Sequence, residues 1–188
     1  MREYTSDIAF TDNVKKLQKQ YGSRESYAQM EQGTGWQSSV TKKLASFIAE
    51  RDSFYIATVN NEGQPYIQHR GGPKGFLKVI DGKTIGFADF SGNRQFISFG
   101  NLKENNKVCL FLMDYPNRTR IKIWGTAEVN EKDKLLINKL VDINYQGVPE
   151  RAFIIHIEAW DINCPQHITP RYTVQEIKDL NLCRDNTG

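Results

Sequence analysis

Three short segments carry residue types that could bind an anionic ligand. The first covers residues 68–76, where glycines at positions 71, 72 and 75 stand among His69, Arg70 and Lys74. Glycine lets the backbone approach a ligand closely, and the three side chains add positive charge and hydrogen-bond donors. Together they would suit a phosphate group. A glycine-rich connection between two strands, with solvated charges, would show the same pattern.

The second segment, residues 90–96, contains Gly92, Asn93 and Arg94 and follows a predicted strand. Ser91 or Asn93 could cap a short helical turn that begins there. A helix N-terminus beside an arginine attracts anions, because its free N–H groups and the guanidinium group all carry positive charge. An ordinary helix cap with an exposed arginine is the alternative.

The third segment, residues 117–125, is predicted to lie on a strand. Alternation along a strand would place Arg118, Arg120 and Lys122 on one face. Three neighbouring cations repel one another unless an anion or acidic residues lie opposite them, although a solvated outer face would also explain the row. Trp124 interrupts the pattern, and we expect it in a barrel core or at an interface.

Hydrophobic periodicity predicts the elements that position these segments. Helices are predicted over residues 11–30, 39–51 and 131–141, with Thr11 or Asp12 capping the first and Ser39 or Thr41 the second; a short helix or turn is predicted over 93–104. Strands are predicted over residues 54–59, 65–70, 76–80, 84–88, 107–114, 118–129 and 153–162. Closely spaced strands with few helices between them favour a mostly-β antiparallel barrel with flanking helices.

The length of 188 residues suits one domain with terminal extensions. We expect an N-terminal helical extension over residues 1–50, a barrel core over 51–162 and a C-terminal extension over 163–188. The net charge of +3 does not call for a nucleic-acid partner. No apolar stretch has the length of a signal peptide or a membrane span.

The sequence contains three cysteines, Cys109, Cys164 and Cys183, and no pair has C-x-x-C spacing. An odd count without that spacing argues against a disulfide framework or a zinc site. We therefore expect reduced thiols in a cytoplasmic protein. The histidines His69 and His156, and His167 near the C-terminus, also lack a spacing that indicates a metal site.

The order of these motifs resembles the pyridoxamine 5′-phosphate oxidase-related FMN-binding family. The resemblance runs over residues 54–129 and extends more weakly to residue 159. It implies a split β-barrel and a homodimer that binds FMN in clefts between its subunits. Transferred by position, the cofactor-binding residues would be Gln68, His69, Arg70, Lys74, Gly92, Asn93, Arg94 and Arg120, with Arg120 reaching the flavin from a neighbouring strand.

The C-terminal segment departs from the oxidase itself, which has a tryptophan- and arginine-bearing segment that completes its pyridoxal phosphate pocket. Residues 163–172 here do not align with those substrate residues, so we do not expect that oxidase's own activity. Within them, His167 and Arg171 could reach the cleft, or the segment could be a surface extension.

The resemblance favours an FMN-dependent oxidoreductase, in which a reduced nicotinamide or another small molecule passes hydride to the flavin. A flavin-binding carrier or sensor without turnover of its own is the alternative. A haem-binding split barrel is a third possibility, but it needs an axial ligand, and no pattern favours any of the three histidines. The absence of a side-chain nucleophile is expected, because the cofactor carries the chemistry in flavin enzymes.

Overall fold

The computed structural model describes residues 2–142 and 145–184. Within these ranges the strands form one antiparallel sheet in the order β2-β1-β5-β6-β7-β4-β3. They are β1 (Ser53–Val59), β2 (Pro65–Gly71), β3 (Lys78–Val79), β4 (Thr84–Phe90), β5 (Lys107–Asp114), β6 (Thr119–Asn130) and β7 (Pro149–Asn163). The predicted mostly-β, antiparallel class with flanking helices is confirmed. The sheet is open in its hydrogen bonding, with β2 and β3 as its edges.

The helices flank this sheet. A short 3-10 helix covers Thr5–Ile8, and the α-helices are α1 (Asp12–Gln20), α2 (Arg24–Gln32), α3 (Lys42–Ala49), α4 (Ile97–Glu104), α5 (Lys134–Leu140) and α6 (Val174–Arg184). Thr11 and Thr41 cap α1 and α3 as predicted, since their hydroxyl oxygens accept the N–H groups of Val14 and Leu44. No helix in the described ranges is both long and apolar enough to cross a membrane.

Several predicted boundaries were wrong for local reasons. The helix predicted over residues 11–30 is two helices, because the chain turns at Gly22, whose φ of 77° is left-handed. The strand predicted over 76–80 shortens to Lys78–Val79, since the residues before it enter the core without pairing. Helix α5 begins only after Asp133, whose carboxylate accepts the N–H of Leu136. Helix α6 was not predicted.

The strands have an inner face that packs around the core and an outer face turned away from it. Phe54, Ile56, Leu110 and Ile123 are buried on the inner face. Helix α3 packs on the same core through Leu44 and Ile48, together with Val40 and Phe47. Leu135 of α5 is 85% exposed and does not pack on this core.

The segment before the first strand is hydrogen-bonded to β7. Gln37 forms a bridge with Trp160 of β7, and the indole N–H of Trp160 donates to the carbonyl oxygen of Ser39 at 2.8 Å. These bonds join residues before the first strand to the last strand. The division into extension, core and tail stays a prediction.

Candidate functional site

A cleft in the described chain lies between β2 and β4. β2 and β4 are not hydrogen-bonded to each other in the sheet. The gap between these two unpaired strands is a seam, and we call the cleft in it the seam cleft. It encloses about 530 Å³, part of it open to solvent. Residues of β2, β4 and β7, the loop after β4 and the first turn of α4 form its walls.

Strand β2 contributes the side chains of its inner face. Tyr66, Gln68 and Arg70 line the cleft, and the Gln68 side-chain oxygen accepts the hydroxyl of Ser98 on α4 at 2.7 Å. His69 lies on the opposite face, where its ring contacts the ring of Tyr55 edge-on. The structure therefore brings Gln68 and Arg70 to the cleft and places His69 outside it.

Arg70 is held firmly in the seam. Its guanidinium group pairs with the carboxylate of Asp89 at 2.5 Å, which connects β2 to β4. The same group lies over the rings of Phe87 and Phe153, at 5.3 and 4.9 Å from their centres. Within the described residues, its Nε atom is buried and has no hydrogen-bond partner.

The loop after β4 brings the second predicted segment to the cleft. Gly92, Asn93 and Arg94 all line it. Arg94 is largely exposed and lies 3.7 Å from the carboxylate of Glu150. Its backbone is left-handed, with a φ of 58°.

Helix α4 presents its N-terminus to the cleft, through Ile97, Ser98 and Phe99. The prediction that Ser91 or Asn93 caps this helix was wrong. The cap is Phe96, in a left-handed conformation and without a side-chain bond to the helix. The first N–H groups of a helix have no acceptor within the helix. In α4 the side chain of the cap residue Phe96 does not accept a hydrogen bond from them either.

Arg151 completes the cleft and was missed by the sequence analysis. It is the third residue of β7, is buried, and lies 3.2 Å from the Asp89 carboxylate. It also pairs with Glu150, and its guanidinium group lies over the rings of Phe96 and Phe99. The sequence does place Arg151 at the start of an apolar run. An arginine buried in such a run needs ion-pair or hydrogen-bond partners, and this was the signal that could have identified it.

The cleft therefore combines three guanidinium groups with two carboxylates. Arg70, Arg94 and Arg151 supply the positive charge, and Asp89 and Glu150 the negative charge. The N-terminus of α4 adds partial positive charge at the same place. The arrangement favours a small anion such as a phosphate group.

Two other predicted residues lie outside this cleft. Lys74 is 65% exposed at its side chain and approaches the carboxylate of Glu50 at 3.6 Å. Arg120 is on the outer face of β6, opposite Asn163 of β7. Its Nε atom and the side-chain oxygen of Asn163 are both buried without a hydrogen-bond partner in the part of the chain that the structure describes.

The prediction that Arg118, Arg120 and Lys122 share one face of β6 was wrong for Arg118. Arg118 precedes the strand in a left-handed turn, with a φ of 49°, and is exposed. Arg120 and Lys122 remain on the outer face, with Lys122 opposite Asp161. Burial raises the pKa of the Asp161 carboxyl group above its usual value, and Lys122 opposes that rise.

The C-terminal segment lies apart from the cleft walls. Cys164 is exposed, and the guanidinium group of Arg171 lies 4.8 Å from the centre of the Tyr115 ring. His167 has a left-handed φ of 62°. Among the residues the structure describes, no group of three histidine, cysteine or acidic side chains could hold a metal ion.

Solved structures with the same fold come from several bacteria. HupZ of Group A Streptococcus is 22% identical, with 71% of this chain and 99% of that one covered and a TM-score of 0.54. An FMN-binding protein of Syntrophomonas wolfei is 15% identical, with coverage of 80% and 97% and a TM-score of 0.53. General Stress Protein 26 of Bacillus anthracis is 16% identical, with coverage of 64% and 91% and a TM-score of 0.50.

At these identities the solved structures establish the fold alone, and they confirm the predicted split-barrel class. No curated protein matches the chain. The family model for pyridoxamine 5′-phosphate oxidase matches residues 40–163, about two thirds of the sequence. That stretch contains every strand of the sheet and all the residues of the cleft. The chain therefore belongs to the pyridoxamine 5′-phosphate oxidase family.

Proposed function

We propose that this protein binds FMN through its phosphate group in the seam cleft and transfers hydride or electrons through it to a small substrate. The observation that supports the proposal is the convergence of Arg70, Arg94 and the N-terminus of α4 on one cleft. The FMN-binding protein of Syntrophomonas wolfei, which shares the fold, makes FMN the first ligand to test.

The residues of the cleft suit the phosphate of FMN. Arg70 offers a buried Nε atom that has no hydrogen-bond partner within the described residues, and Arg94 is free to turn towards a ligand because it is largely exposed. Asn93 and Ser98 add polar groups beside them. Each charge-assisted hydrogen bond to a buried phosphate contributes about 1.5–3 kcal/mol.

When bound, FMN supplies the hydride or electron chemistry. The protein's part is to hold the phosphate, orient the ring and limit the access of water. We propose that Arg120 contributes near the flavin ring, and we retain His69 and Lys74 as cofactor contacts suggested by the family resemblance. All three lie outside the seam cleft, so their contacts would be with parts of the cofactor beyond its phosphate or with a cofactor held by a partner subunit.

We further propose a homodimer with FMN at the interface. The outer face of β2, β1 and β5 is the surface that a second copy would cover. Ile67 and Tyr55 on this face are 66% and 39% exposed, and Phe111 and Cys109 extend it across β5. Stable homodimer interfaces bury apolar surface of this kind.

A flavin carrier or sensor without turnover is the second candidate. The observation that favours it is that the cleft offers binding groups, the guanidinium groups of Arg70, Arg94 and Arg151, and holding a phosphate with them requires no turnover. Such a protein would bind FMN without a donor reducing it rapidly.

An absorption spectrum of the purified protein tests the proposal. Bound flavin should give a yellow protein, and mass spectrometry of the released cofactor should identify FMN. Addition of a reduced nicotinamide should bleach the flavin bands within seconds if the protein is an oxidoreductase. Persistence of the bands would favour the carrier or sensor, and a haem spectrum would contradict FMN binding.

A further inference from the structure

We propose that Asp89 is a positioning residue for the phosphate site and that Arg151 is a third phosphate-binding arginine beside Arg70 and Arg94. This inference rests on the proposed binding of FMN in the seam cleft. It adds two residues that neither the motifs nor the family resemblance indicated.

Asp89 uses both of its carboxylate oxygens to hold two arginines from different strands. One oxygen lies 2.5 Å from Arg70 of β2, and the other lies 3.2 Å from Arg151 of β7. Arg151 is the direct pairing partner of Asp89 in the sheet, whereas Arg70 reaches it from the opposite edge of the seam. The carboxylate therefore fixes the distance between the two guanidinium groups across the seam.

Aromatic rings fix the orientation of the same two groups. Arg70 lies over the rings of Phe87 and Phe153, and Arg151 lies over those of Phe96 and Phe99. Arg70 has a buried Nε atom without a hydrogen-bond partner in the described part of the chain, whereas the buried Nε atom of Arg151 lies 3.6 Å from the carboxylate of Glu131. Donors held in place before the ligand arrives lose little conformational freedom on binding, which strengthens binding.

The negative charge of Asp89 makes this proposal unusually testable. A carboxylate beside a phosphate repels it, so electrostatics alone predict that removing the charge of Asp89 strengthens FMN binding. If Asp89 positions the arginines, removing its charge weakens binding, because the guanidinium groups are released. The two explanations differ in the sign of the effect.

Glu150 provides a matched control for this comparison. Its carboxylate lines the same cleft and pairs with Arg94 and Arg151, whereas Arg70 pairs with Asp89. Asp89→Asn and Glu150→Gln each remove one negative charge from the cleft and preserve the shape of the side chain. Only the first releases the link between β2 and β4.

The experiment is a titration of each variant, as the full chain freed of cofactor, with FMN and with riboflavin, which lacks the phosphate. We expect Asp89→Asn to weaken FMN binding by about tenfold, or about 1.4 kcal/mol. Riboflavin binding should stay unchanged, and Glu150→Gln should weaken FMN binding less than Asp89→Asn does, because Arg70 and Arg151 both keep their pairs with Asp89. Arg151→Lys, which keeps the charge but loses the planar guanidinium group, should also weaken FMN binding selectively. It serves as the second test if Asp89→Asn does not fold.

Asp89→Asn with FMN affinity equal to or tighter than that of the wild type would overturn the positioning role. Equal losses of FMN and riboflavin affinity would show a general structural role and overturn it too. Unchanged FMN affinity in Arg151→Lys would remove Arg151 from the phosphate site. A wild type that binds no FMN would refute the proposed function itself, and the roles of Asp89 and Arg151 with it.

Discussion

Trp36, in the segment before α3, stacks on Trp124 of β6, with ring centres 4.7 Å apart and planes 14° from parallel. Phe10 packs against Trp36 at 5.1 Å and against Tyr27 at 5.2 Å, so the N-terminal segment covers the outer face of β6 with an aromatic cluster. Trp124 therefore packs against the N-terminal segment and lies outside the barrel core, whereas its predicted place at an interface stays a prediction. The outer faces of β1 and β2 lack such an aromatic cover among the described residues, and Ile67 stays exposed there.

That exposed face gives the first prediction. Ile67→Lys should convert the proposed dimer to a monomer, because a charge would have to be buried at the interface. Light scattering with size-exclusion chromatography measures the mass directly. Leu135→Lys is the control, because Leu135 is 85% exposed on α5, away from the proposed interface, and should leave the dimer intact.

A monomeric wild type with its full complement of flavin would contradict the dimer proposal. Monomers produced equally by both lysine variants would instead indicate a general loss of solubility or folding.

Arg120 gives a second prediction, on the redox potential. A cation near the flavin ring stabilises the negative charge that develops on reduction. Arg120→Ala should therefore retain much of its FMN affinity but have a lower reduction potential, by about 30 mV for each 1.4 kcal/mol of lost stabilisation. A redox titration measures the midpoint. Arg118→Ala removes an exposed cation outside the strand, and its midpoint should match the wild type.

If the midpoint of Arg120→Ala is also unshifted, Arg120 does not belong to the flavin site. Arg120 would then belong to a charged outer face of β6 with no ligand, which is the alternative given in the sequence analysis.

The cysteines give a prediction on pH dependence. Burial raises the pKa of the Cys109 thiol, so less of it is thiolate at any given pH, and thiolate is the reactive form. Cys164 is exposed. Iodoacetamide should therefore modify Cys164 well before Cys109 near neutral pH, and the reaction of Cys109 should accelerate only at higher pH. Peptide mass spectrometry quantifies each site.

Urea-unfolded protein is the control, because both thiols should then react at similar rates. Faster modification of Cys109 than of Cys164 in the folded protein would contradict the burial seen in the structure.

The strands could be predicted well because buried and exposed side chains alternate between adjacent residues of a strand, so the pattern is local in the sequence. The same alternation explains why the segment over residues 68–76 is divided by the structure. Gln68 and Arg70 point into the cleft, whereas His69 between them must point away. The strand period by itself separates His69 from Gln68 and Arg70 in the sequence.

Arg151 could not be found in this way, because its role depends on distant pairing. It meets Asp89 only because β7 pairs with β4, which is 62 residues away in sequence at this contact. The cap of α4 was also beyond prediction, since Arg94 and Phe96 take left-handed conformations that non-glycine residues seldom adopt. Local sequence patterns contain neither the sheet order nor such backbone exceptions.

In the proposed site, Arg70 and Arg94 bind the phosphate of FMN. A calorimetric titration of cofactor-free protein with FMN tests it most directly, comparing the wild type with Arg70→Ala, Arg94→Ala and Lys74→Ala. We predict that Arg94→Ala weakens binding about tenfold to a hundredfold, since each 1.4 kcal/mol is a factor of ten, and that Arg70→Ala weakens it comparably. Lys74→Ala, outside the cleft, should have the smaller effect. Unchanged affinity in both arginine variants would contradict the account.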